Sequence, residues 1–317
     1  MPTHHHIGGM DMKRTIAIVF ATLFFTLAMY SQGTDESIEL EKVRILRDSR
    51  GLDISLPETV ERVVSLSPNI TETIYALERG STLVGRTDYC NYPEQTSQVP
   101  SVGDLLSPSV EQIIALDPQV VLISTLGQLQ IIDALESAGI TLFYINEPGT
   151  MEGTYQMITM VADILSAARE SETLIAGMKG LIQEVQSKVR QEKAVSTYYV
   201  AGFGQWGDFS ATGDTFLHEI ITLAGGDNVA SDGSNWTYSL ERLIMHDPEV
   251  IILPATWGST FEQTLEAFTS FEAYRGLTAV KQGRIYDVQA DILNRQGPRS
   301  ALGVKLLAEI LHPGQFK

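Results

Sequence analysis

One stretch of this chain is written twice. "SVEQIIALDPQVVLI" (109–123) returns as "SLERLIMHDPEVIIL" (239–253), at an offset of 130 residues, with Ser, Glu, Ile, Asp, Pro and Val identical and most other positions conservative. Each copy reads as a short helix, stopped at Asp-Pro because proline cannot continue one, followed by a buried strand. A chain that repeats one helix–strand unit in each half is built from two similar lobes. The cleft between them, at the carboxyl ends of the strands, is then the default binding site.

The rest of the pattern agrees. "RVVSLS" (62–67), "TLVGRT" (82–87), "QVVLIS" (119–124) and "TLFYIN" (141–146) are β-like runs, with a helical "LQIIDALESAG" before the last. The second half supplies strands in "STYYVAGF", "VIILPA" (250–255) and "RIYDV" (284–288), and helices in "TFLHEIITLAGG" and "PRSALGVKLLAEIL". Alternation of this kind means α/β. Asn69, with Glu72 three residues on, suits the capping of the helix in "ITETIYAL". Between the halves, about 152 to 192 is helical sequence. Leu174, Met178, Leu181, Val185 and Val189 form one apolar stripe on a long helix, which would restrict how far the halves move. The expected order is a signal peptide (1–33), an N-terminal α/β lobe (34–150), a helical connector (151–193) and a C-terminal α/β lobe (194–317).

The signal peptide rests on Lys13 and Arg14 ahead of the apolar run "TIAIVFATLFFTLAM", with small residues Ser31 and Gly33 near a cleavage point. The run is short for a membrane span, although an uncleaved anchor is the alternative. No cysteine lies near the cleavage point, so the expected product is soluble, periplasmic and not a lipoprotein. His4, His5 and His6 precede the signal and leave with it. Cys90 is the only thiol, so no internal disulfide staples the fold. With 317 residues and 44% hydrophobic composition the chain can bury a large core, and a net charge of -17 disfavours nucleic acid and anionic membrane surfaces as partners.

Gly202, Gly204 and Gly207 spell G-x-G-x-x-G after a strand, which raises a dinucleotide site. That fingerprint needs its third glycine to open a helix. Here the turn-forming "DFSATGD" follows instead, and Asp227 lies in "AGGDN" beyond the next helix. The stretch reads as a loop bearing Phe203, Trp206 and Phe209. Other segments just after strands are Ser67 to Asn69, Asp88-Tyr89, Thr256-Trp257 and Ala290 to Arg295. Large aromatics on such loops suit ligand contact better than core packing. Trp236, in the polar "SDGSNWTYS", is either a lid over core or a stacking platform. No G-x-S-x-G elbow and no His/Asp/Glu grouping with metal-ligand spacing is present, and His218 and His246 sit in apolar helical patterns. A hydrolase and a dedicated metal carrier are disfavoured.

In order along the chain, "RDSRGLDISLPETVERVVSLSPNITETIYAL", "GRTDYCNYP", the two repeat copies and "NRQGPR" resemble the substrate-binding proteins of iron-complex and cobalamin ABC importers. The resemblance spans about Val43 to His312. It implies the class III periplasmic binding protein fold: two α/β lobes joined by one long helix, with a large chelate held in a shallow cleft and delivered to a permease.

The closest pattern is that of the cobalamin binders. Carried over by position, their ligand tyrosine falls on Tyr89, the aromatic after the first C-lobe strand on Phe203, the cleft tryptophan on Trp236, and the acid and arginine before the terminal "PR" on Asp291 and Arg295. A family tryptophan ahead of the first repeat aligns with Leu105, leaving Trp206 or Trp257 as its replacement. The glycines would let a loop pass close to a flat macrocycle. Glu111 and Glu241, matched in the repeats, resemble the surface glutamates that meet arginines on the two permease subunits, although each also suits the first turn of a helix.

The resemblance therefore implies a monomeric, non-enzymatic binder with no cofactor of its own, carrying a corrinoid or related metal chelate to an inner-membrane permease dimer. Haem, for which Tyr89 offers a ligand, and ferric siderophores are the alternatives within that class. An extracytoplasmic enzyme using the same cleft is the alternative outside it.

Overall fold

The computed structural model describes residues 42–124, 129–146, 148–204 and 207–317. The signal-peptide segment, its flanking residues and Trp206 lie outside them.

The described chain opens on an antiparallel hairpin, β1 (Val43–Arg47) and β2 (Asp53–Pro57). The Asp48 carboxylate closes its turn by accepting from the Arg50 and Leu52 amides at 2.9 and 3.1 Å. Next come β3 (Val63–Ser65), α1 (Pro68–Ala76), β4 (Leu83–Arg86), α2 (Val110–Ala115), β5 (Val120–Ile123), α3 (Leu129–Ser137) and β6 (Leu142–Tyr144). The four strands form a parallel sheet in the order β4-β3-β5-β6.

Two helices follow, α4 (Met151–Leu165) and α5 (Ala168–Val189). The helical stretch read as one connector is thus broken at Ser166, whose φ of 51° is left-handed. Arg44 donates to the Asp163 and Ile164 carbonyls at 2.6 and 2.5 Å, and Arg79 reaches those of Leu165 and Ser166, so cations satisfy the open end of α4. The apolar stripe lies on α5, where Met178, Val185 and Val189 are buried and Leu174 and Leu181 pack beside them.

The second half runs β7 (Val195–Gly202), β8 (Phe209–Ser210), α6 (Phe216–Leu223), β9 (Gly226–Asn228), α7 (Leu240–His246), β10 (Val250–Ile252), α8 (Phe261–Ser270), α9 (Glu272–Arg275), α10 (Thr278–Lys281), β11 (Ile285–Tyr286), α11 (Ala290–Asn294) and α12 (Ser300–Leu311). Its sheet has the order β11-β10-β7-β8, with β9 parallel to the start of β7 and β8 antiparallel to its end. Ala290 to Arg295, read as a loop, is mostly the short α11.

The repeat is structural as well as textual. Ser109 and Ser239 cap α2 and α7, each accepting a backbone N–H three residues on at 3.3 Å. Ile113 and Leu243 are fully buried, and Asp117 and Asp247 end the helices at φ 45° and 46°. Val120 and Val250 then open buried strands.

Alternation along those strands builds three core layers. Val120 and Leu122 of β5, Tyr199 of β7, and Val250 and Ile252 of β10 share one apolar cluster with α1, α4, α5, α6 and α12. Val121 and Ile123 face a separate N-lobe cluster, and Tyr198, Val200 and Ile251 a separate C-lobe one. The inner core is therefore continuous from one sheet to the other. Among the described residues, no helix is long and apolar enough to cross a membrane.

The capping read for Asn69 and Glu72 does not form. Ser67 occupies the N-cap of α1 and makes no side-chain cap bond. The Asn69 amide donates to the Gln296 carbonyl at 3.1 Å, and Glu72 turns to two arginines of the other lobe.

Candidate ligand-binding site

A cavity of about 370 Å³ opens at the carboxyl ends of β7 and β10, where the lobed architecture leads one to look. Phe203, Trp236, Trp257 and Asp291 line it, together with Tyr199 and Asn294. Four of the residues singled out by sequence thus share one wall. Tyr89, after β4, reaches the same place from the N-lobe: its ring centroid lies 5.5 Å from that of Trp257, at an interplanar angle of 39°.

Each aromatic is held differently. Phe203 continues β7 and sits edge-on to Phe268, Phe271 and Tyr274 at 5.2, 6.0 and 6.3 Å, so it is the half-buried, cavity-facing member of a packed aromatic cluster. Trp257 is 89% exposed on a turn from Thr256 to Ser259, where Gly258 supplies a φ of 78°. Trp236 is the third residue of the turn Ser234 to Thr237, closed by a 3.1 Å backbone bond. Asn235 and Trp236 have φ of 52° and 62°, the type I′ pattern in which glycine is the usual third residue. An indole held there costs about 1–3 kcal/mol of backbone strain, and such strain concentrates at functional sites.

The glycine loop is not a dinucleotide site. After Gly207 (φ 104°) the chain enters β8, and α6 begins only at Phe216. The loop's described residues are instead anchored to the aromatic cluster that packs Phe203. The Gly204 amide donates to the Tyr274 hydroxyl oxygen at 3.2 Å, and that hydroxyl donates to Asp208 at 2.5 Å. Burial raises the Asp208 carboxyl above its ordinary range, Tyr274 opposes this, and Glu241 adds to it. Burial likewise pushes the Tyr199 phenol, which donates to Asn294 at 3.0 Å, up to about 12.

The cations near the cleft are already spent. Arg295 pairs with Asp291 at 2.8 Å and Glu72 at 3.0 Å, and donates to Asn91 and the Tyr89 carbonyl at 2.8 and 3.2 Å. Arg299 grips Glu72 through two bonds of 2.7 Å. Arg86 donates to the Thr96 and Thr87 carbonyls, both at 2.9 Å. Glu72 is the member of this set that sequence reasoning misassigned, because the spacing that suggests a cap says nothing of partners more than 200 residues away. Among the described residues, no group of three or more His, Cys, Asp or Glu side chains could hold a metal ion.

The model of the family described as periplasmic binding protein matches residues 63–292. The chain belongs to this family. Periplasmic binding proteins capture solutes and are not enzymes. The chain is 30% identical over 280 residues to the uncharacterized ABC transporter substrate-binding lipoprotein YvrC of Bacillus subtilis, covering 85% of this chain and 86% of YvrC. It is 25% identical over 274 residues to a cobalamin-binding protein of Halobacterium salinarum, covering 84% of this chain and 73% of that one. The apo structure of the periplasmic heme-binding protein RhuT from Roseiflexus sp. RS-1 superposes with a TM-score of 0.72 at 25% identity, over 81% of this chain and 99% of RhuT. The two-lobed α/β fold is that of the class III periplasmic binding proteins.

Proposed function

We propose that this periplasmic binding protein captures a corrinoid between its lobes and delivers it to the permease of an ABC importer. The observation that carries the choice of ligand is the state of the cleft cations. Arg86, Arg295 and Arg299 are engaged by carboxylates and carbonyls, while Tyr89, Phe203, Trp236 and Trp257 offer ring surface. A carboxylate-rich siderophore or the haem propionates would call for unspent arginines. A corrin ring asks for broad apolar burial and for hydrogen bonds to its amide fringe, which Asp291 and Asn294 can accept and donate. The relationship to a cobalamin-binding protein supports the same reading.

Haem is the second reading. It is favoured by the Tyr89 phenol at the cleft and by the likeness to RhuT. Ultraviolet-visible spectra of the protein after mixing with cyanocobalamin, haemin and a ferric siderophore, followed by gel filtration, separate the three. Co-elution of the cobalamin chromophore alone supports the corrinoid reading, and a haem Soret band on the protein overturns it.

For delivery we read Glu111 and Glu241 as the docking residues. Of the six identities in the repeat, Ser, Asp, Pro and Val serve capping, helix ending and burial. Glu111 and Glu241 are exposed in the first turn of α2 and α7, and Ile114 and Ile244 beside them are 44% and 48% exposed. A matched exposed pair, one per lobe, suits a two-fold symmetric permease. We read the exported form as a monomer freed of residues 1–33 and, unlike YvrC, without a lipid anchor. The intact mass of the exported protein tests the last point.

A further inference from the structure

Glu72 is 3% exposed, and a buried carboxylate persists only when it is paired. Both its partners come from the opposite lobe. Arg299 donates through Nε and Nη2 and Arg295 through Nη1, so three hydrogen bonds join α1 to the segment after α11. The same two arginines continue to the loop that carries Tyr89. Arg295 holds the Tyr89 carbonyl and the Asn91 side chain, and the Arg299 guanidinium lies 4.0 Å over the Tyr92 ring. The planar fork of arginine is what allows one side chain to satisfy two acceptors in fixed directions.

The charges in this set balance, two carboxylates (Glu72, Asp291) against two guanidinium groups. Without the Glu72 charge, Asp291 is the anion left for Arg295 among the described residues, and Asp291 lies toward the cavity. The guanidinium would follow it and leave the Tyr89 carbonyl. Trp257, the other half of the ring contact, is less restrained: its neighbour Thr256 bonds Thr264 of α8 at 3.0 Å, but the indole itself is 89% exposed on a four-residue turn.

We propose that Glu72 is a positioning residue for the ligand site. By fixing Arg295 and Arg299 it sets where the Tyr89–Tyr92 segment stands across the cleft, so that Trp257 is the half of the pair that moves to admit ligand. The inference rests on the cleft being the ligand site, but its test needs no ligand.

Amide hydrogen exchange of the full chain decides it. In Glu72→Gln and in Arg295→Gln the peptide spanning 88–92 exchanges about tenfold faster or more, while peptides from β5 and β10 keep the parent rate, as local rather than global opening requires. The double variant speeds exchange of that peptide by less than the product of the two single accelerations, because both substitutions release Arg295 and only the loss of Glu72 also frees Arg299 from its place over Tyr92. In the parent protein the peptide spanning Trp257 exchanges faster than the one spanning Tyr89. If Glu72→Gln does not fold, Glu72→Asp decides, since it keeps the charge but draws the carboxylate back from Arg295. Parent-rate exchange at 88–92 in these variants overturns the proposal, as does equal acceleration of every peptide, or a Trp257 turn better protected than the Tyr89 segment. Failure of cyanocobalamin to bind would overturn the corrinoid reading and leave this result standing.

Discussion

Tyr89 and Trp257 touch across the cleft although they are separated by more than a whole lobe in sequence, with ring centroids 5.5 Å apart. The cavity behind Trp257, about 370 Å³, lies at the small end of the range for ligand sites, so a macrocycle must part the two rings to enter. What parts them is local. The inner apolar cluster runs from β5 through α5 to β10, and separating the sheets would expose it.

Loaded and unloaded protein should therefore differ little in overall dimensions. Small-angle scattering with and without cyanocobalamin should show a change in radius of gyration of no more than a few tenths of an ångström, because the motion is of loops and not of a hinge. A drop of several ångströms would contradict the continuous core as a restraint.

Trp236 combines strain with exposure, which gives opposite signs for fold and binding. Trp236→Ala should weaken corrinoid binding by about 1–3 kcal/mol. Trp236→Gly should weaken it as much, yet leave the fold at least as stable as the parent, since Asn-Gly suits the type I′ turn and the strain of φ 62° is relieved. Calorimetric titration and denaturant melts measure the two. A glycine variant less stable than the parent would remove strain as the explanation.

Asp208 supplies a pH prediction. Its folded carboxyl is raised, chiefly by burial, so the stability it contributes is full below the unfolded value of about 3.9 and is lost as pH rises through the folded value. At neutral pH the ionised group is a net cost. Asp208→Asn, which can still accept from Tyr274, should melt higher than the parent at pH 7, with the difference shrinking as pH falls toward 4. A difference that does not vary with pH would show that the carboxyl titrates normally.

Much of this was legible in the sequence because periodicity and turn chemistry are local. The buried strands opened by Val120 and Val250 and the caps at Ser109 and Ser239 are written within a few residues of each other, and the repeat marked both lobes. The break at Ser166 was not legible, since a left-handed serine leaves no pattern and the helical periodicity continues past it. Phe203 and Trp257 of the cavity wall could be read from their positions after strands; Trp236 was open between a lid and a stacking platform, and Tyr199, inside β7, carried no signal. Nor could Glu72 be read, because its meaning lies in Arg295 and Arg299, which only the folded chain brings near. For the same reason Arg295, read as a ligand contact, proves to be shared with Glu72, Asn91 and Tyr89.

Glu111 and Glu241 should matter to the permease and not to the ligand. Reversing both to lysine should leave cyanocobalamin affinity within about twofold, because exposed charges contribute little to the fold and act mainly in registering a partner. Uptake in cells with the double variant as sole binding protein should fail. Transport at the parental rate would leave these residues no role beyond the helix dipole.

Titration calorimetry of the exported chain with cyanocobalamin, set beside haemin under the same conditions, bears most directly on the corrinoid reading. One site per chain is expected for cyanocobalamin, with a negative heat-capacity change from burial of the aromatic wall, and haemin should bind more weakly. Saturable one-site binding of haemin with no heat from cyanocobalamin would contradict it.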